Sequence, residues 1–120
     1  MESKFYVSLK AARLLKEKGY NNYSTVYDCS VEGDIFLNQE PMHGEWIKDK
    51  DIYPCPTKAE AIDWLESKGI VVEAYYNKKA EWLFYISTRN LIELYDSFDE
   101  LVFPTRLEAE EAAIIKALNY

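Results

Sequence analysis

The chain has 120 residues, of which only four are glycine and four are proline. So few chain breakers argue against a disordered or linker-rich polypeptide. Reactive residues are scarcer still: two cysteines, Cys29 and Cys55, and one histidine, His43. No two of the three have the close C-x-x-C or H-x-x-H spacing of a zinc site, and Asp28 or Asp51 would have to complete a ligand set. The pattern reads as a loop histidine and two ordinary thiols. Nucleophilic catalysis would need one thiol beside His43, whereas a cysteine in a strand or just before a helix is usually a packing residue. No glycine-rich loop is present to cradle a phosphate. No stretch approaches the roughly 18 apolar residues of a membrane span. Met1 to Tyr20 lacks the apolar run and small-residue cleavage site of a secretory signal. These absences predict a cytoplasmic protein with reduced thiols, without cofactor, metal or catalytic residues.

Positive charge is also in short supply, and the formal net charge is −7. The imbalance is uneven. Residues 1–20 carry Lys4, Lys10, Arg13, Lys16 and Lys18 against Glu2 and Glu17. Residues 91–120 carry Arg106 and Lys116 against Glu93, Asp96, Asp99, Glu100, Glu108, Glu110 and Glu111. A phosphate backbone repels such a chain unless its cations are concentrated. A nucleic-acid surface would have to use Lys10, Arg13, Lys16 and Lys18 with Lys78 and Lys79, and stack bases on Trp82 and Tyr85. The acidic C-terminal cluster offers the opposite idea, a mimic of nucleic acid. Acids at a helix start are already favoured by the helix dipole, and Glu110 and Glu111 diverge on a helix, so they form no acid/base pair.

What the chain has in quantity is apolar and aromatic residues: 48% hydrophobic, with ten tyrosines and three tryptophans. It can bury a core, and it is read as one domain spanning residues 1–120. Ser8 caps a helix over about Leu9 to Lys18, closed by Gly19 and Tyr20. "YSTVYDC" and "IFLN" read as a hairpin joined through "SVEGD". Gln39 to Pro54 reads as a long irregular loop. Thr57 and Glu60 form a capping box for a second helix that ends at Gly69. "IVVEAYY", "EWLFYIST" and "LIELYD" read as an antiparallel meander over 70–96, with Trp82, Phe84 and Ile86 on one side and Leu83, Tyr85 and Ser87 on the other. A third helix opens at Thr105 with Glu108 three residues on. The fold class expected is α+β: a mainly antiparallel sheet of four or five strands, built from the meander and the N-terminal hairpin, with three packed helices.

The helix openings repeat. "PTKAEAIDWL" from Pro56 is echoed by "PTRLEAEEAAI" from Pro104, and Ser8, Thr57 and Thr105 are spaced by 49 and 48 residues. Each is followed four positions later by alanine. A duplicated helix-plus-strands unit would produce this, but so would the short list of residues that cap helices well.

Together "YVSLKAARLLKEKGY", "PTKAEAIDWLESKGIVVEAYY", the strand around Trp82 and "PTRLEAEEAAIIKAL" resemble a family of small uncharacterised proteins carried by gut anaerobes, often in phage or prophage regions. The resemblance covers most of the chain except residues 21–50. It implies a phage-associated or mobile-element accessory protein and brings no functional residues with it. The last helix is apolar over more than half its circumference, which predicts burial against two neighbours. A homodimer through Ala112, Ile115 and Leu118 is therefore expected. The function expected is non-catalytic and regulatory, through protein contacts, with a nucleic-acid binder or acidic mimic as the alternative.

Overall fold

The computed structural model describes residues 5–22, 25–28, 34–37, 52–90, 92–96 and 102–120. It is an α+β protein that divides into two compact units, residues 1–57 and 58–120.

In the first unit, helix α1 spans Leu9–Glu17. The Ser8 side chain accepts from the Ala11 N–H at 3.2 Å, satisfying one of the orphan donors at the helix start. The other end closes as a Schellman motif: Tyr20 N–H donates to Leu15 O and Gly19 N–H to Lys16 O, at 2.9 and 3.2 Å. Gly19 sits at φ +96, which only glycine adopts without strain. Ala11, Ala12 and Leu15 form the buried stripe. The predicted hairpin is present as β1 (Thr25–Asp28) and β2 (Asp34–Leu37), paired antiparallel. Part of the segment read as loop is a short strand, β3 (Ile52–Pro54), antiparallel to β1. Tyr53 supplies the β character, and Pro54 ends the ladder because it has no N–H. Helix α1 packs on β3, and Val7 N–H donates to Pro56 O at 3.1 Å. Cys55 is fully buried, with its thiol 3.8 Å from Val7 O. Among the described residues the strands thus form two sheets, β2-β1-β3 and the meander, rather than one. The hairpin's free edge is taken by β3.

The second unit opens with α2 (Lys58–Ser67), immediately after Thr57. Gly69, at φ +91, ends it, donating to Glu66 O at 2.9 Å. The chain then runs through β4 (Ile70–Tyr76), β5 (Trp82–Thr88) and β6 (Glu93–Asp96), an antiparallel meander in the predicted order. The β4–β5 register pairs Ala74 with Phe84 and Val72 with Ile86. The turn is held by the Asn77 side chain, whose Oδ1 accepts from Lys79 and Glu81 N–H at 2.9 and 3.0 Å. A register shift lies between Ile86 and Ser87 on the β6 side. Helix α3 (Arg106–Ala117) packs on β4 and β5 and against α2, and α2 packs on β4. Helices two and three therefore share the meander's core, as their apolar faces predict.

That core centres on Phe84, 1% exposed, with Ile86 and Ile114 fully buried. The Phe84 ring stacks on Tyr95 at 5.3 Å and meets Phe103 at 6.0 Å. On the opposite face of β5, Leu83 and Ser87 are buried as well. Phe84→Ala is expected to cost about 3–5 kcal/mol of stability through lost transfer energy and a cavity. Thr105→Ala, which removes only a cap, should cost about 1 kcal/mol. Urea unfolding of the two variants checks the order; similar losses would show that Phe84 is not the packing centre.

A candidate binding groove beside the last helix

The approach to α3 is fixed by backbone. Phe103 and Trp82 exchange two hydrogen bonds of 2.9 Å, an isolated antiparallel bridge that continues the β5 edge just before the helix. Pro104 then turns the chain, and the Thr105 side chain accepts from Glu108 N–H at 3.2 Å. This is the capping geometry that the threonine and glutamate spacing predicts. Ala109, Ala113, Ile114 and Ala117 face inward and are buried. Alanines at i, i+4 and i+8 let the helix axis come close to the sheet, since none carries side-chain bulk beyond Cβ.

Beside this buried stripe lies an open groove of about 570 Å³, lined mainly by apolar surface. Its lining is Phe103, Pro104, Ala112 and Ile115, with Glu108, Glu111 and Lys58 as the charged members. Ala112 and Ile115 are half-buried. Leu118, the third residue of the expected dimer surface, is 2% exposed and belongs to the core. The wide apolar face of α3 gives no edge in the sequence between residues covered within the chain and residues open to a partner.

Lys58 is the functional candidate that sequence reasoning missed. It is the first residue of α2 and only 7% exposed. A cation there opposes the helix dipole, and its burial costs desolvation. Its signal was legible: a lysine directly after a capping threonine, where acids are preferred. Arg89 was missed for another reason. From the turn after β5 its guanidinium donates to Glu66 O at 3.1 and 2.8 Å, capping the C-terminus of α2 across 23 residues of sequence.

Several of the other sequence candidates cannot be placed, and most of those that can have local tasks within their own unit. Cys29 and His43 lie outside the described residues, as do Asp51, Asp99, Glu100 and most of the segment 39–54. Among the described residues no group of three or more histidine, cysteine or acidic side chains could hold a metal ion. Trp82 and Tyr85 are three apart on β5, so they point to opposite faces and form no common stacking platform. Trp82 is instead covered by Tyr76 at 5.0 Å and by the Arg106 guanidinium at 5.9 Å. Arg13 and Lys16 lie over the Tyr53 ring, at 5.4 and 5.0 Å. Lys78 and Lys79 are exposed in the β4–β5 turn of the other unit. The acidic cluster is likewise divided among tasks. Asp96 accepts from the Tyr75 hydroxyl at 2.6 Å, and Glu110 pairs with Arg106 at 3.8 Å. No helix among the described residues is long and apolar enough to cross a membrane.

Family models, curated proteins and solved structures offer no match to this chain.

The Tyr75–Asp96 bond spans β5 and ties the two outer strands of the meander together. Both side chains are half-buried. Tyr75→Phe is therefore expected to lower unfolding stability by about 1 kcal/mol. A midpoint in urea unchanged from the parent protein would show the bond to be solvent-compensated.

Proposed function

We propose that this chain is a non-catalytic binding protein acting through contacts with another protein, and that the groove beside α3 is the surface it uses. One observation carries the reading. Ala112 and Ile115, beside Phe103 and Pro104, leave a concave apolar surface on a helix whose other side is already buried. A concave apolar floor with a few charged groups at its edge suits the docking of a partner's side chain. An accessory role for a phage or mobile element rests on the sequence resemblance alone. Action on nucleic-acid machinery has less support. The aromatic residues it would use, Trp82 and Tyr85, face opposite ways on β5.

The test is affinity capture from the host's lysate with the full chain and with Ala112→Arg. The arginine would fill the groove, and retention of the captured partner should fall roughly tenfold or more, as at a binding hot spot. Circular dichroism of the variant controls for folding. Equal capture by a folded Ala112→Arg protein would remove the groove from the function.

A further inference from the structure

We propose that the corner of the second unit formed by Tyr76, Trp82 and the β4–β5 turn binds single-stranded nucleic acid, with a base stacked on the aromatic pair and phosphates on Lys78 and Lys79. It shares no residue with the groove lining, and the two readings stand or fall independently.

The strand register supplies the stacking surface. Trp82 and Tyr85 cannot share a face, but Tyr76 is the cross-strand partner of Trp82, and directly paired residues project from one face of a sheet. The two rings lie 5.0 Å apart, tilted by 52°. Tyr76 is 57% exposed, so much of its ring is open to a ligand.

The cations follow directly in sequence. Lys78 and Lys79 are exposed, and among the described residues neither ammonium has a carboxylate partner. The turn that carries them is held in place. Asn77 Oδ1 accepts from Lys79 and Glu81 N–H, and Ala80 is kept at φ +62, a left-handed backbone that alanine rarely adopts. The neighbouring carboxylates have partners of their own: Glu81 accepts from the Asn77 side-chain amide at 3.2 Å, and Glu110 pairs with Arg106. Arg106 lies 5.9 Å from the Trp82 ring with its side chain 64% exposed, so a further cation stands beside the aromatic pair.

The net charge of −7 opposes a polyanion at long range. At about 0.1 M salt, exposed charges more than about 10 Å apart are largely screened, so the local cations decide what docks at this corner. The rings then choose among anions. Any nucleobase can stack on an aromatic face, and a single strand leaves its bases free to do so. An acidic peptide would meet the lysines and leave the Tyr76 ring unused.

The test uses the purified full chain and a labelled oligothymidylate, with binding followed by fluorescence anisotropy. The single strand should bind. Its log K should fall against log salt with a slope of about 0.7 for each phosphate neutralised, so about 1.4 for the lysine pair. Tyr76→Ala should weaken binding about tenfold without changing that slope. Lys78→Gln/Lys79→Gln should weaken binding and remove the share of the slope that the pair supplies. Circular dichroism checks that the variants are folded. No binding at low salt overturns the proposal, and so does equal or tighter binding of the duplex with oligoadenylate, whose bases are not free to stack. A glutamate-rich peptide that binds more tightly than the oligonucleotide would give the corner to an acidic protein instead. Binding that survives both the tyrosine and the lysine substitutions lies elsewhere on the chain and also overturns the assignment. A folded Ala112→Arg variant should bind the oligonucleotide like the parent chain; loss of binding there would move the strand to the groove and overturn this site, whereas failure of the groove to capture a protein partner would leave it untouched.

Discussion

The second unit depends on how the Phe84 ring is held. Phe84 lies on the central strand of the meander, where both backbone edges are hydrogen-bonded. Its ring has Tyr95 from β6 on one side and Phe103 from the approach to α3 on another. Removing a ring of this size from water contributes roughly 2–3 kcal/mol before any packing gain, and the ring pairs add specific geometry. Phe103 is also the residue whose backbone pairs with Trp82. The same contact that completes the core therefore aims the last helix and fixes where its outer face falls. The groove follows from that placement, with Phe103 and Pro104 at one end and the second and third turns of α3 along its side.

Electrostatics act on this frame at local sites. Arg106 sits between two tasks, over the Trp82 ring and 3.8 Å from Glu110. Lys116 covers Tyr95 with its ammonium 4.6 Å from the ring centre, at the end of α3 where the dipole favours a cation. Arg89 does for α2 what Lys116 does for α3, but from a distant turn. Each of these cations meets the preference of a helix end or an aromatic face. Lys58 departs from that pattern, being buried at a helix start, where the dipole disfavours a cation.

Much of the architecture was legible because its signals are local. The meander was readable from strict alternation at Trp82, Phe84 and Ile86 against Leu83, Tyr85 and Ser87, which a two-residue period imposes. The helix limits were readable from Ser8, Thr105, Gly19 and Gly69, since capping and left-handed backbone are met by few residue types. The strand Ile52–Pro54 was not readable. Three residues are too few to show a period, and only pairing with β1 makes them a strand. Leu118 was grouped with a dimer contact for a related reason: an apolar residue on an already apolar helix does not announce which neighbour covers it, and here the chain itself buries it.

The sequence by itself therefore determined the α+β class, the order of the meander, the helix starts and stops, and the acidic balance. These depend on backbone sterics, side-chain period and formal charge, all properties of short windows. Only the tertiary structure decided that the hairpin shares a sheet with β3, that Ala112 and Ile115 stay half-buried while Leu118 is buried, and that Lys58 lines the same groove as Glu108 and Glu111. Those outcomes depend on contacts between residues distant in sequence, such as Tyr27 with Tyr53 and Trp82 with Phe103, whose energies are set by mutual packing that no single window contains.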